Sequence, residues 1–177
     1  MEKGAGAICL RMATCIRMAP PADADSVASV LSESFAEYKP LYTPEGYAAT
    51  TPTAEQIRAR WEEGPVWVAV GDVGVVVGTV SAVPRGEDLY VRSMAVVPSA
   101  RGRRVGESLL ARVEEFARAH GHARLTLTTT PFLSRAIRLY ERAGFRPSGR
   151  GPLELFGTPL FEMSKDLQPF SPEHRRG

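Results

Sequence analysis

The sequence predicts an α/β domain of the α+β type, with antiparallel hairpins first and a strand–helix–strand unit after them. Three observations carry this. Strand-like runs at residues 66–70, 75–83 and 88–97 are joined by short turns, Gly71-Asp72-Val73-Gly74 and Pro84-Arg85-Gly86-Glu87, as antiparallel neighbours require. The third run then feeds a long amphipathic helix pattern, and a further strand-like run follows it. Finally, 177 residues with 44% hydrophobic and 24% charged side chains suffice for one core.

The elements follow in order. Residues 14–18 alternate and form a first strand, which Pro20 and Pro21 end. Asp23 is placed as an N-cap, and Val27, Val30, Leu31, Ser34 and Phe35 recur at helical spacing until about Tyr38. Residues 40–52 are rich in Tyr, Thr, Pro and Gly and read as a loop. Thr53 opens a second helix with a capping box that uses Gln56; Ile57 and Trp61 share its inner face, and Gly64-Pro65 stops it. After the hairpins, a helix over 105–120 buries Leu109, Leu110, Val113, Phe116 and Ala117, and Gly121 ends it. Residues 123–129 alternate, with Leu125 and Leu127 on one face and Thr126 and Thr128 on the other. A last helix over 131–143 carries Ile137, Leu139 and Tyr140 and stops at Gly144, and residues 158–167 close with a strand. No internal repeat or linker divides the chain, so one domain is expected over 14–167, with loose termini at 1–13 and 168–177.

Composition excludes several functions. A net charge of +2 makes no case for nucleic-acid binding. Three of the 22 basic residues are lysines (Lys3, Lys39 and Lys165), and the other 19 are arginines. Cys9 and Cys15 build no disulfide framework, and with His120, His122 and His174 they form no metal-ligand spacing, so no metal is expected. No run is long and apolar enough to cross a membrane, and residues 1–12 lack the core of a secretion signal, so no membrane partner and a cytoplasmic location are expected.

The functional signal is residues 96–110. A strand ends in Val96-Val97-Pro98, a turn follows as Ser99-Ala100-Arg101-Gly102-Arg103-Arg104, and a helix opens at Val105-Gly106-Glu107. A helix start offers unpaired N–H groups and the positive end of the helix dipole, and Arg101, Arg103 and Arg104 add full charges beside them. The expected ligand is a phosphate or pyrophosphate. A P-loop reading fails, because no Gly-Lys-Ser/Thr follows the turn.

Two segments carry a family resemblance. Arg101-Gly102-Arg103-Arg104-Val105-Gly106 resembles the Arg/Gln-x-x-Gly-x-Gly/Ala acyl-CoA motif of the GNAT acetyltransferase superfamily, and Leu139-Tyr140-Glu141-Arg142-Ala143-Gly144-Phe145 is similar to its Leu-Tyr-x-x-x-Gly-Phe segment. The resemblance implies a mixed, mostly antiparallel central sheet of about six to seven strands flanked by about four helices, with a splayed parallel strand pair holding acyl-CoA. It implies acetyl-CoA as co-substrate, an amine-bearing acceptor (small molecule or peptide), direct attack of the amine on the acetyl carbon, and the possibility of a homodimer. On this reading the backbone of Gly102 to Glu107 holds the pyrophosphate, Met94, Ala95 and Val96 pair with the pantetheine arm, and Tyr140 protonates the departing thiolate.

Two positions depart from the family pattern. Arg104 stands where the motif has glycine; a helical backbone would accommodate its side chain, with the cation toward the phosphates or solvent. Leu133 stands where many members have an asparagine, so the expectation is either fewer cofactor contacts from that helix or contacts supplied by Ser134 or Arg135. The strand around Tyr90, Arg92 and Ser93 offers no carboxylate base; Glu33, Glu37, Asp88 or a water on a backbone carbonyl are the alternatives. Tyr38, Tyr42 and Tyr47 read either as loop packing or as an aromatic substrate wall, while Trp61 and Trp67 read as core or interface residues rather than ligands. Glu37, Glu45 and Glu55 beside these tyrosines suggest a cationic amine acceptor. A non-catalytic acyl-CoA sensor is the alternative to an enzyme.

Overall fold

The computed structural model describes residues 14–167; the expected loose termini, with Cys9 and His174, lie outside the described residues. An eight-stranded sheet runs in the order β1-β2-β3-β4-β5-β8-β6, with β7 paired to β8. The strands are β1 Cys15–Met18, β2 Val66–Val70, β3 Val76–Arg85, β4 Asp88–Val96, β5 Arg124–Thr129, β6 Arg146–Pro147, β7 Leu153–Leu155 and β8 Thr158–Asp166. All pairings are antiparallel except β4 with β5. Five α-helices accompany them: α1 Ala24–Phe35, α2 Pro44–Thr50, α3 Ala54–Ala59, α4 Val105–Ala119 and α5 Ser134–Arg142.

The sequence accounts for most of this. Val66-Trp67-Val68-Ala69-Val70 is buried along nearly its whole length because helices cover both faces of the sheet. On one face Trp67 meets Phe116 of α4 edge-on at 5.4 Å, and Gly78 lies under Val105 and Leu109 of the same helix. On the other face Val27 and Leu31 of α1 and Ile57 of α3 gather over Val66, Thr79 and Ser81. Thr53 and Gln56 form the expected capping box on α3, with bonds of 3.3 and 2.9 Å.

Three expectations need correction. The stretch read as a loop contains α2: Thr43 caps it by accepting from the Gly46 N–H at 3.1 Å, and Pro44 fills its first position. Asp23 sits at the start of α1 without capping it, since its carboxylate bonds Arg17 at 2.6 Å instead. The short strands β6 and β7, both paired to β8, and the added α2 bring the counts to eight strands and five α-helices, against about six to seven and about four expected.

The parallel pair positions the site. β4 and β5 are in register only at Asp88 with Arg124, Leu89 with Leu125 and Tyr90 with Thr126. Both strands continue, to Val96 and Thr129, without pairing with each other. The sheet therefore has a window between its two helical layers.

A candidate acyl-CoA site in a split sheet

The window opens into a cleft of about 700 Å3. A bulge in β4 decides what lines each side. Thr79 pairs with Ala95 and Ser81 with Arg92, so Ser93 and Met94 together oppose Val80 alone, and Ser93 takes φ 51. One extra residue reverses the facing of everything after it. Tyr90 and Arg92 thus face the α1 layer, whereas Met94 faces α4, where its Cε methyl lies 3.3 Å from the position a Cβ on Gly106 would take. From the last paired residue of β4, the Tyr90 hydroxyl reaches the Thr128 hydroxyl across the opening gap at 2.8 Å.

On the α4 side the turn leaves the start of the helix uncapped. Gly102 takes φ 79 with open space around it. No side chain caps α4; the Ser108 N–H donates to the Arg104 carbonyl at 3.0 Å, leaving the N–H groups of Val105, Gly106 and Glu107 without helical acceptors. At Gly106 a Cβ would stand 2.8 Å from a Leu139 methyl, so α4 and α5 approach closely there because this position has no side chain.

The three arginines behave differently from one another. Arg101 is turned away from solvent, 17% exposed, and is held by the Glu37 carboxylate and the Ser34 carbonyl, the latter at 3.1 Å. It ties the turn to the end of α1. Arg104 is not in a helical backbone; it takes φ 60 and ψ 19, the left-handed conformation suited to the motif's glycine. Its side chain is 86% exposed, with Glu107 4.0 Å away. Arg103 is exposed and does not line the cleft.

Met94, Ala95, Val96, Arg101, Gly102, Arg104, Val105, Gly106, Glu107 and Tyr140 all line this one cleft, as does Leu133. Tyr140 is 7% exposed, and its backbone carbonyl accepts from the Phe145 N–H at 3.0 Å. Burial pushes its phenol well above the ordinary tyrosine value, and the neighbouring Tyr42 and Tyr90 add to the shift. It therefore carries its proton throughout the neutral range.

On the α1 side Tyr38 and Tyr42 line the cleft with Phe132 behind them: Tyr42 packs edge-on at 4.9 Å and Tyr38 stacks at 6.4 Å. Burial raises the Tyr42 phenol as well. Tyr47 packs on Tyr42 outside the cleft, and Trp67 is in the core. The carboxylates considered as bases lie elsewhere. Glu37 is bound to Arg101, Asp88 pairs with Arg124 at 3.0 Å, and Glu33 does not reach the cleft. Neither Glu45 nor Glu55 lines it, so the acidic acceptor pocket expected from the sequence does not form. Sequence reasoning missed the bulge at Ser93, which has no glycine to mark it, and Arg60, which the end of α3 brings to the cleft beside Arg92.

Comparisons with known proteins agree with this geometry. The family described as "Acetyltransferase (GNAT) family" matches residues 29–145. An uncharacterized N-acetyltransferase of Escherichia coli (strain K12) is 30% identical over 128 residues, which cover 70% of this chain and 76% of that protein. The IAA acetyltransferase of Azospirillum brasilense is 42% identical over 72 residues, covering 37% of this chain and 47% of that protein, so the chain spans about half the length of that relative. The PaiA N-acetyltransferase of Thermoplasma acidophilum, solved in complex with coenzyme A, superposes with a TM-score of 0.74 over 88% of this chain and 100% of that one, at 18% identity, a likeness of fold. No helix among the described residues is long and apolar enough to cross a membrane. With its split sheet, its uncapped helix turn and a match over residues 29–145, this chain belongs to the GNAT acetyltransferase family.

Proposed function

We propose that the chain transfers an acetyl group from acetyl-CoA to an amine by direct attack. The observation that supports it most is the window in the sheet. It joins a phosphate-type cradle on the α4 side to an aromatic chamber on the α1 side, with a proton-bearing phenol between them.

The residues present fit acyl-CoA. The free N–H groups of Val105, Gly106 and Glu107, and the open left-handed turn at Gly102, suit a pyrophosphate. The unpaired edge of β4 at Met94, Ala95 and Val96 suits an amide-bearing arm laid along it as an added strand. The buried Thr129 hydroxyl, which has no partner, supplies one more polar contact on the cleft wall. When bound, acetyl-CoA supplies an activated acyl carbon.

The chain's own residues then have separable roles. The bulge at Ser93 and Met94 takes backbone polar groups out of the ladder at the window, where an acyl oxygen would need a donor. The amine lone pair forms the new C–N bond, the C–S bond breaks, and the thiolate takes the Tyr140 proton. Among the described residues Glu107 is the only acidic side chain lining the cleft, and it lies at the cradle. The amine therefore enters already neutral or loses its proton to water.

Titration of the protein with acetyl-CoA, followed by thiol release over a panel of amines, tests the proposal. Saturable binding with turnover supports it. Binding without turnover on any amine would favour an acyl-CoA sensor instead.

A further inference from the structure

The chamber on the α1 side is cationic. Arg60 and Arg92 line it, and no carboxylate does. Arg92 shares its charge with Glu63 at 2.6 Å, while Arg60 has no ion-pair partner among the described residues, so this end of the cleft keeps a net positive charge. One buried hydroxyl in the same lining, that of Ser34 at 4% exposure, has no hydrogen-bond partner. A buried hydroxyl left unpaired is a standing cost that a polar ligand removes. Phe35, Tyr38 and Tyr42 wall the space and keep it small.

These features suit one class of acceptor. A polyamine or aminoglycoside brings several positive charges into a chamber with no carboxylate to receive them. An amine carrying its own carboxylate brings a negative group that a guanidinium binds with two parallel bonds. Resting on the acetyltransferase reading above, we propose that the acceptor is an amino acid or similar small amino-carboxylate. Arg60 and Arg92 hold its carboxylate, Ser34 bonds one of its polar groups, and its amine is directed to the window at Ser93.

The test compares amino acids with their methyl esters and with polyamines at one pH, on the wild-type chain and on Arg60→Ala and Arg60→Lys. The amino acid should exceed its ester in kcat/KM by about tenfold or more. Arg60→Ala should remove most of that preference through KM and hardly affect the ester, and Arg60→Lys should restore part of it. Calorimetry with CoA present should show the amino acid binding wild type more tightly than Arg60→Ala, with acetyl-CoA affinity equal in both. Arg60 is exposed and unpaired, so melting temperatures should match. Acetyl transfer with esters equal to acids, or with polyamines preferred, overturns this inference and leaves the acetyltransferase reading standing. Failure to bind acetyl-CoA overturns both.

Discussion

Replacing Arg101 with alanine separates a structural role from a ligand role. The guanidinium is 17% exposed, bonded to the Ser34 carbonyl at 3.1 Å and to the Glu37 carboxylate. A charged donor on a backbone carbonyl contributes about 1.5–3 kcal/mol. Glu37 is half exposed, so its ion pair adds only about 0.2–1 kcal/mol. Arg101→Ala should therefore destabilise the fold by about 2–3 kcal/mol, and Glu37→Gln by less than about 1 kcal/mol. In a chain of this size 1 kcal/mol moves the melting midpoint by about 2–4 °C, so Arg101→Ala should lower it by roughly 5–10 °C. Thermal and urea unfolding of both variants and the double variant measure this, with the coupling read from the cycle. Acetyl-CoA affinity, taken well below the midpoint, should fall no more than about threefold, since the phosphates are assigned to backbone N–H groups. An unchanged midpoint with affinity lost by about 100-fold would refute the reasoning and make Arg101 a phosphate ligand.

The other predictions concern the turn and the phenol. Arg104→Gly removes a left-handed arginine but loosens the unfolded chain, so calorimetry should show a net gain of about 0.5 kcal/mol and little change in acetyl-CoA affinity. Gly106→Glu places a carboxylate at the cradle and drives a side chain into Leu139, so acetyl-CoA binding should vanish while the circular dichroism spectrum stays that of a folded protein. Tyr140→Phe should lower kcat by about 100-fold with acetyl-CoA affinity intact, measured by stopped-flow and titration. Because burial raises the Tyr140 phenol, any fall of kcat caused by its ionisation should appear only above about pH 10, the ordinary tyrosine value. With no carboxylate base on the acceptor side of the cleft, the acid limb of kcat/KM should follow the acceptor's own amine pKa when acceptors are exchanged.

Much of this fold is readable locally. The β2–β3–β4 meander follows from β-branched runs and two short turns, and α4 from an apolar stripe that ends at Gly121. The uncapped turn ahead of α4 follows from Arg101 to Gly106. α2 was hidden because its seven residues include Pro, Gly and Thr, although Thr43-Pro44-Glu45 is a cap, a first-position proline and an acidic first turn. β6 and β7 are two and three residues long in a Gly- and Pro-rich stretch, too short for alternation to show. The Ser93 bulge has no local signature, since it exists only in the pairing of β4 with β3. Arg101 read as a phosphate contact because its carboxylate partner lies 64 residues away. Arg60 and Arg92 become neighbours in the cleft only through the docking of α3 against the sheet.

The central claim is that the split sheet is an acyl-CoA site with Tyr140 as the proton donor. The most direct measurement is calorimetric titration of the wild-type and Tyr140→Phe chains with acetyl-CoA, paired with single-turnover acetyl transfer to an amino acid. Equal, saturable binding in both, with transfer slowed in the phenylalanine variant alone, is the predicted result. No heat of binding at millimolar acetyl-CoA, or transfer at the wild-type rate in the variant, would contradict the account.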